Sequence, residues 1–194
     1  MTHHATQISP GPRRRRWPVS GILAGMVVWL MLPGCILVRT TDHRIRVNTN
    51  GTGEAVLRLI DLRSDGTTDS AIATDVVRLV SMFNDSGPRF FEQNTRTIQH
   101  KQFLVQGDTL SLEIGYGFQD LTAIEGLRIT PDILYLVVEQ PRDIVKTNGR
   151  IEPWLEGSKR IVWDRDATRI FYTIRERFMP QTVPLAKWYR GQAR

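Results

Sequence analysis

Cysteine occurs once in the 194 residues, at position 35, and histidine four times. A single cysteine excludes an intramolecular disulfide and any zinc site built on several cysteines. Only His43 and His100 follow Cys35. They form no His-x-His or His-x3-His pair, so no metal site is expected, and both are read as lying on polar strand faces. The chain has no Gly-x-Ser-x-Gly, Ser-x-x-Lys or phosphate-loop pattern, which removes the usual signatures of serine-hydrolase and nucleotide chemistry. Acidic residues are absent from positions 1–34, where Arg13 to Arg16 stand together. Of the 26 Lys and Arg, 22 therefore remain for the rest of the chain, against 20 acidic residues. The pI of about 10.0 is thus a property of the N-terminal segment, and without a basic stripe in the remainder no nucleic-acid partner is expected.

The carboxylates offer little chemistry. Asp61, Asp65 and Asp69 miss calcium-loop spacing, because Arg63 occupies the middle position, and they read as turn and helix-cap residues. Asp164 and Asp166 flank a tight turn, where solvent keeps two carboxyl groups from acquiring the separated pKa values that acid–base work needs. The expectation is no catalytic residue, no metal and no cofactor. A hydrolase would need a cleft with two convergent carboxylates.

What is present begins at the N-terminus. After a polar stretch interrupted by Pro10, Pro12 and Pro18, the arginine block leads into an apolar run from Val19 to Leu32, then Leu32-Pro33-Gly34-Cys35. A positive segment, an apolar segment and a small residue before the cut make a signal peptide. Leu32 three before the Cys and Gly34 one before it resemble the lipobox of bacterial lipoprotein precursors. The resemblance implies that Cys35 is acylated on sulfur and becomes the new N-terminus. Acyl chains such as palmitate contribute roughly 0.8 kcal/mol per buried CH2, enough for a durable anchor. The competing reading is an uncleaved signal anchor, since Val19 to Val38 spans about 20 residues, enough to cross a bilayer. Either way residues 40–194 lie outside the cytoplasm, at the cell membrane or the outer membrane. Ile36 rather than Asp after the Cys is compatible with the latter.

The expected organisation is a leader over 1–34, a lipidated tether over 35–42, an extracytoplasmic domain over 43–177 and a loosely packed basic and aromatic tail over 178–194. Within the domain, His43–Thr49 and Glu54–Asp61 alternate on either side of Asn50-Gly51, as a hairpin does. Ile72, Val76, Leu79, Val80 and Phe83 share one helical face, predicting a helix over 70–83 capped by Asp69 or Ser70. Thr95–Val105 and Thr109–Phe118 form a second hairpin, with Leu110, Leu112, Ile114, Tyr116 and Phe118 on one face. Gly115 and Gly117 leave the other face bare, as if for close approach. A short helix over 120–127 follows, then strands over 133–138 (covered on both faces), 144–147, 159–164 and 168–175. The fold class is α+β: an antiparallel, hairpin-rich sheet with one main helix on one face.

Val137-Val138-Glu139-Gln140-Pro141 through Ile144-Val145, Thr147-Asn148-Gly149 and Ile161-Val162-Trp163 resemble the LppM-type domain of bacterial lipoproteins, in which a strand ends in a proline turn before Asn-Gly and a Val-Trp strand. Arg142 stands where that family usually has Gly. The resemblance, over about residues 35–175, implies a domain that binds hydrophobic or lipidic ligands. The expected role is a non-catalytic envelope binding module, holding such a ligand in an apolar cavity lined by Phe83, Leu112, Ile114 and Tyr116. A tightly filled core would count against it. The alternative is a structural or assembly lipoprotein acting through an envelope protein. Trp163 reads as core, Trp154 as an exposed loop aromatic, and Trp188-Tyr189 as a tail contact for headgroups or a partner.

Overall fold

Strand β1, Ile36–Val47, begins at the residue after Cys35, and a turn at Asn48–Thr52 returns the chain into β2, Gly53–Ser64. The computed structural model describes residues 36–86, 95–179 and 181–192; the leader and Cys35 lie outside them. No helix among the described residues is long and apolar enough to cross a membrane. The tether expected over 35–42 is replaced by strand. Ile36 is 7% exposed and pairs with Ser64, so burial and ladder bonding order this segment from its first residue.

Helix α1 follows (Asp69–Ser81), capped by Thr68, whose Oγ1 accepts from the Ala71 amide at 3.3 Å, one residue earlier than expected. It runs on into a π-helical turn at Met82–Ser86. The second hairpin is β3 (Arg96–Gln106) and β4 (Thr109–Phe118). In place of the short helix expected over 120–127 there is one 3₁₀ turn, Leu121–Ala123, before β5, Leu127–Ile129. The rest is β6 (Ile133–Val138), β7 (Arg142–Thr147), β8 (Arg150–Pro153), β9 (Lys159–Asp164), β10 (Arg169–Glu176), β11 (Val183–Pro184) and helix α2 (Ala186–Gln192).

The fold is α+β and antiparallel, with two sheets. The larger has the order β3-β4-β2-β1-β10-β7, with β11 added on β2; the smaller has the order β5-β6-β9-β8. Buried side chains of both sheets and both helices form one apolar cluster. Helix α1 contributes Ile72, Val76 and Leu79 to it, and the smaller sheet contributes Leu134, Leu136, Ile161 and Trp163. β6 buries only alternate residues, Leu134, Leu136 and Val138, so it is covered closely on one face rather than two.

Two local devices set this arrangement. Asp61 has φ of 59°, in the left-handed region, and the buried positions of β2 change phase there, from Ala55 to Leu62 and Ser64. Asn148 and Gly149 carry the chain from one sheet to the other. Asn148 Oδ1 accepts from Trp163 Nε1 at 2.8 Å and from the Phe171 amide at 2.9 Å, while Nδ2 donates to the Arg169 carbonyl at 2.8 Å. A Cβ on Gly149 would meet Ile161 at 2.6 Å and Trp163 at 2.8 Å, so the corner closes only on glycine.

The tail is not loosely packed. Leu185 and Ala186 are wholly buried, the Leu185 amide donates to the Leu62 carbonyl at 3.0 Å, and Trp188 and Tyr189 pack on the core. The Tyr189 ring lies 5.1 Å from Phe103.

Candidate functional site

The four residues expected to line a ligand cavity are core residues packed against protein. Leu112, Ile114 and Tyr116 alternate along the inner face of β4, and Phe83 lies in the π-helical turn that follows α1. Their exposures run from 0% at Tyr116 to 9% at Phe83. The Phe83 ring sits 4.8 Å from Phe103 and takes the Lys101 ammonium over its face at 5.0 Å, while Lys101 Nζ also donates to the Phe83 carbonyl at 2.7 Å. None of the four lines either of the two surface pockets described next.

The larger pocket, about 390 Å3, is lined by Arg39, Arg63, Glu176, Arg177, Gln181 and Thr182, with Met179. Its cations are held by carboxylates and by the chain. Arg63 donates through Nε to Thr182 Oγ1 and through Nη2 to the Thr182 carbonyl, both at 2.7 Å, and pairs with Asp61, which also meets Arg39. Arg177 grips Asp143 with two nitrogens, and those bonds hold the Asp143 carboxyl below the usual range. Arg142 pairs with Glu176 at 2.9 Å, and burial nonetheless pushes the Glu176 carboxyl up. A smaller pocket of about 70 Å3 between Pro141 and Gly157 adjoins it through Arg177.

A buried polar cluster was not foreseen. His43 lies on the inner face of β1 at 4% exposure, with Nδ1 2.8 Å from the Tyr172 hydroxyl and Nε2 2.8 Å from the Tyr116 hydroxyl. Burial and then the nearby Arg96 charge lower its pKa to about 3, so the imidazole is neutral, one nitrogen donating and the other accepting. Burial pushes Tyr116 up to about 12 and Tyr172 upward as well. No member is poised to move a proton near neutral pH, and all three are enclosed. The polar-face expectation therefore fails for His43. Its alternation with Ile45 and Val47 was the signal that could have placed it correctly.

His100 does lie on the outer face, and it corrects the reading of Gly115 as bare. A Cβ there would meet the His100 ring at 2.0 Å, because the imidazole lies over the glycine. Beside it Glu113 accepts from Gln102 at 2.8 Å and from Arg58 Nε. Desolvation pushes the Glu113 carboxyl up, but bonds from Gln102, Arg58 and His100 and the Arg58 charge outweigh it and hold it low. A carboxylate so fully engaged is structural.

Of the aromatics, Trp163 is core, at 4% exposure. Trp154 is half-buried, its ring 5.8 Å from Tyr135 and tilted 42° to it, with the Arg160 guanidinium 4.5 Å above it. Among the described residues the aromatic ring that stands in water is Phe178, at 70% exposure, which sequence patterning did not single out. No group of three or more metal-binding side chains occurs among the described residues. Cys35, the expected lipidation site, precedes the first of them. Compared with protein-family models, curated proteins and solved structures, the chain matches none.

Proposed function

We propose that this chain is a bacterial lipoprotein, acylated on Cys35, whose extracytoplasmic domain is a non-catalytic binding module of the cell envelope working at the membrane surface. The observation that carries the reading is the junction at residues 35 and 36. A lipobox-like Leu32-Pro33-Gly34-Cys35 abuts a strand that is paired and buried from Ile36 onward, so an acylated Cys35 would hold the folded domain against the bilayer without a spacer. The resemblance to LppM-type domains favours a lipidic or other hydrophobic ligand. The burial of Phe83, Leu112, Ile114 and Tyr116 against protein counts against a ligand enclosed among them, so the proposal is for engagement at the surface.

The alternative, an assembly lipoprotein acting through protein contacts, draws support from the outer face of the larger sheet. Arg46 and Arg169 stand directly across from one another on β1 and β10, and neither forms an ion pair among the described residues. Facing cations are unfavourable alone and would suit an acidic partner surface.

The test is metabolic labelling with a clickable fatty acid, followed by membrane fractionation, in the parent and in Cys35→Ser. Label on the parent, lost in Cys35→Ser with most of the chain leaving the lipoprotein fraction, supports the reading. An unlabelled parent that stays membrane-bound points to the uncleaved signal anchor.

A further inference from the structure

Eight large apolar side chains among the described residues keep more than a third of their surface in water, and five of them, Leu104, Val105, Leu155, Phe178 and Val183, lie at one end of the molecule. The topology gathers them there. At this end β1 begins, β2 and β10 finish, and the β3–β4 and β8–β9 hairpins turn. Ile36 and Val183 both pair with Ser64, which puts them about 10 Å apart at the usual strand spacing. Phe178 follows Arg177, whose amide donates to the Pro141 carbonyl at 3.1 Å and which shares the 390 Å3 pocket with Arg39 and Arg63. Leu155 belongs to the β8–β9 turn, tied to this end by Gln140 Nε2 donating to the Gly157 carbonyl at 3.1 Å. The opposite end includes the turns at residues 48–52, 130–132 and 164–167, which consist of Asn, Thr, Gly, Asp, Arg, one Pro and one Ala.

The two most exposed of these side chains, Leu155 at 71% and Phe178 at 70%, thus project from the end where β1 begins, one residue after Cys35. Exposed apolar groups clustered on one side of a domain mark a contact surface. The occupant is indicated by the chain itself: on the lipoprotein reading the acylated residue stands directly before Ile36, which is paired and buried at this end, and a domain tethered there without a spacer cannot keep this end far from lipid.

We propose that this end is a membrane-seating surface, with Leu155 and Phe178 entering the headgroup boundary of the bilayer and the arginines of the adjoining pocket meeting lipid phosphates. It rests on the lipoprotein reading above and adds an orientation to it: the sheets stand up from the membrane, and the 48–52 turn points away. Because Arg39, Arg63 and Arg177 already face Asp61 and Asp143, the surface carries little net charge, and seating depends on apolar insertion more than on anionic lipid.

The experiment uses the full chain, isolated from membranes and placed in nanodiscs of zwitterionic lipid, with an environment-sensitive fluorophore on Leu155→Cys, Phe178→Cys or, as the distal control, Asn50→Cys. An acylated Cys35 has no free thiol to compete for the label. Quenching by nitroxide lipids several-fold stronger at 155 and 178 than at 50 is expected, changing less than about twofold when anionic lipid is added. Equal, water-like signals at all three sites in a chain whose intact mass shows lipid on Cys35 overturn the seating and leave the anchor standing. Sites 155 and 178 shielded from water yet untouched by nitroxide lipid overturn the bilayer as occupant, pointing to a second copy or a partner protein. A chain recovered in the aqueous fraction without lipid overturns the anchor and the seating together.

Discussion

His43 shows how one side chain can set a pH dependence without taking part in chemistry. Its folded pKa is lowered from 6.5 to about 3 by burial, so below pH 6.5 the unfolded chain binds a proton that the folded one refuses. The contribution is fully present above pH 6.5 and is lost progressively as the pH falls toward the folded value. The slope approaches about 1.4 kcal/mol per pH unit. Glu125 and Glu176, whose carboxyls burial raises, act in the opposite sense, so the comparison must be made within one background. Urea unfolding at pH 7 and pH 5 should show a steeper loss for the parent than for His43→Gln; equal losses would rule His43 out as the cause. Alternation of His43 with Ile45 carried the inward-facing signal, which the polar-face reading passed over. Its two phenol partners come from β4 and β10, 73 and 129 positions away, a juxtaposition that no local pattern carries. Cys35 is the contrary case: the proposal for it rests wholly on its neighbours in sequence. Gly149 can also be tested singly. Alanine there must displace Trp163 and Ile161, an overpacking that costs about 1–3 kcal/mol, and a thermal melt of Gly149→Ala unshifted from the parent would contradict the close corner.

The position of helix α1 depends on a polar contact at its buried face. Ser64 Oγ donates to Asp75 Oδ2 at 2.5 Å and accepts from the Gly66 amide at 2.8 Å, so one hydroxyl ties the end of β2 to the helix and to the loop between them. Asp75 is 4% exposed, and removing its donor leaves a carboxylate in the core. Ser64→Ala should therefore cost about 1–3 kcal/mol, and adding Asp75→Ala should return part of it. If denaturant midpoints show the second change making matters worse by its full single-mutant cost, the two residues are uncoupled. The helix and the central parts of the two long hairpins were legible because each carries a sustained local period. β2 ran past its expected end because Asp61 resets the alternation, and a left-handed aspartate looks like a turn in sequence. The separate smaller sheet was missed for a related reason. β8 has four residues, and its identity depends on Asn148 meeting Trp163 across the fold.

For the whole molecule, the two ends differ in kind: one is polar, and the other gathers apolar side chains beside the point where the chain arrives from Cys35. That asymmetry was invisible in sequence because Leu104, Leu155, Phe178 and Val183 belong to separate stretches of the chain, which only the strand pairing brings to one end. The C-terminal segment misled for a similar reason. Pro180 and Pro184 read as punctuation before a loose tail, yet β11 adds to β2 and Leu185 plugs the core. With Leu185 wholly buried and its amide bonded to Leu62, the segment closes the larger sheet's helical side, where α2 also packs near α1. Leu185→Ala should destabilise the domain by about 2–5 kcal/mol, a large fraction of the roughly 5–15 kcal/mol available to a domain. Val183→Ala, at 37% exposure, should cost under about 1 kcal/mol. Equilibrium unfolding of the two variants side by side decides the matter. Equal small losses would return the segment to the status of a loose tail, whereas a large loss confined to Leu185 makes the C-terminus part of the folded unit and leaves Val183 free to face the membrane.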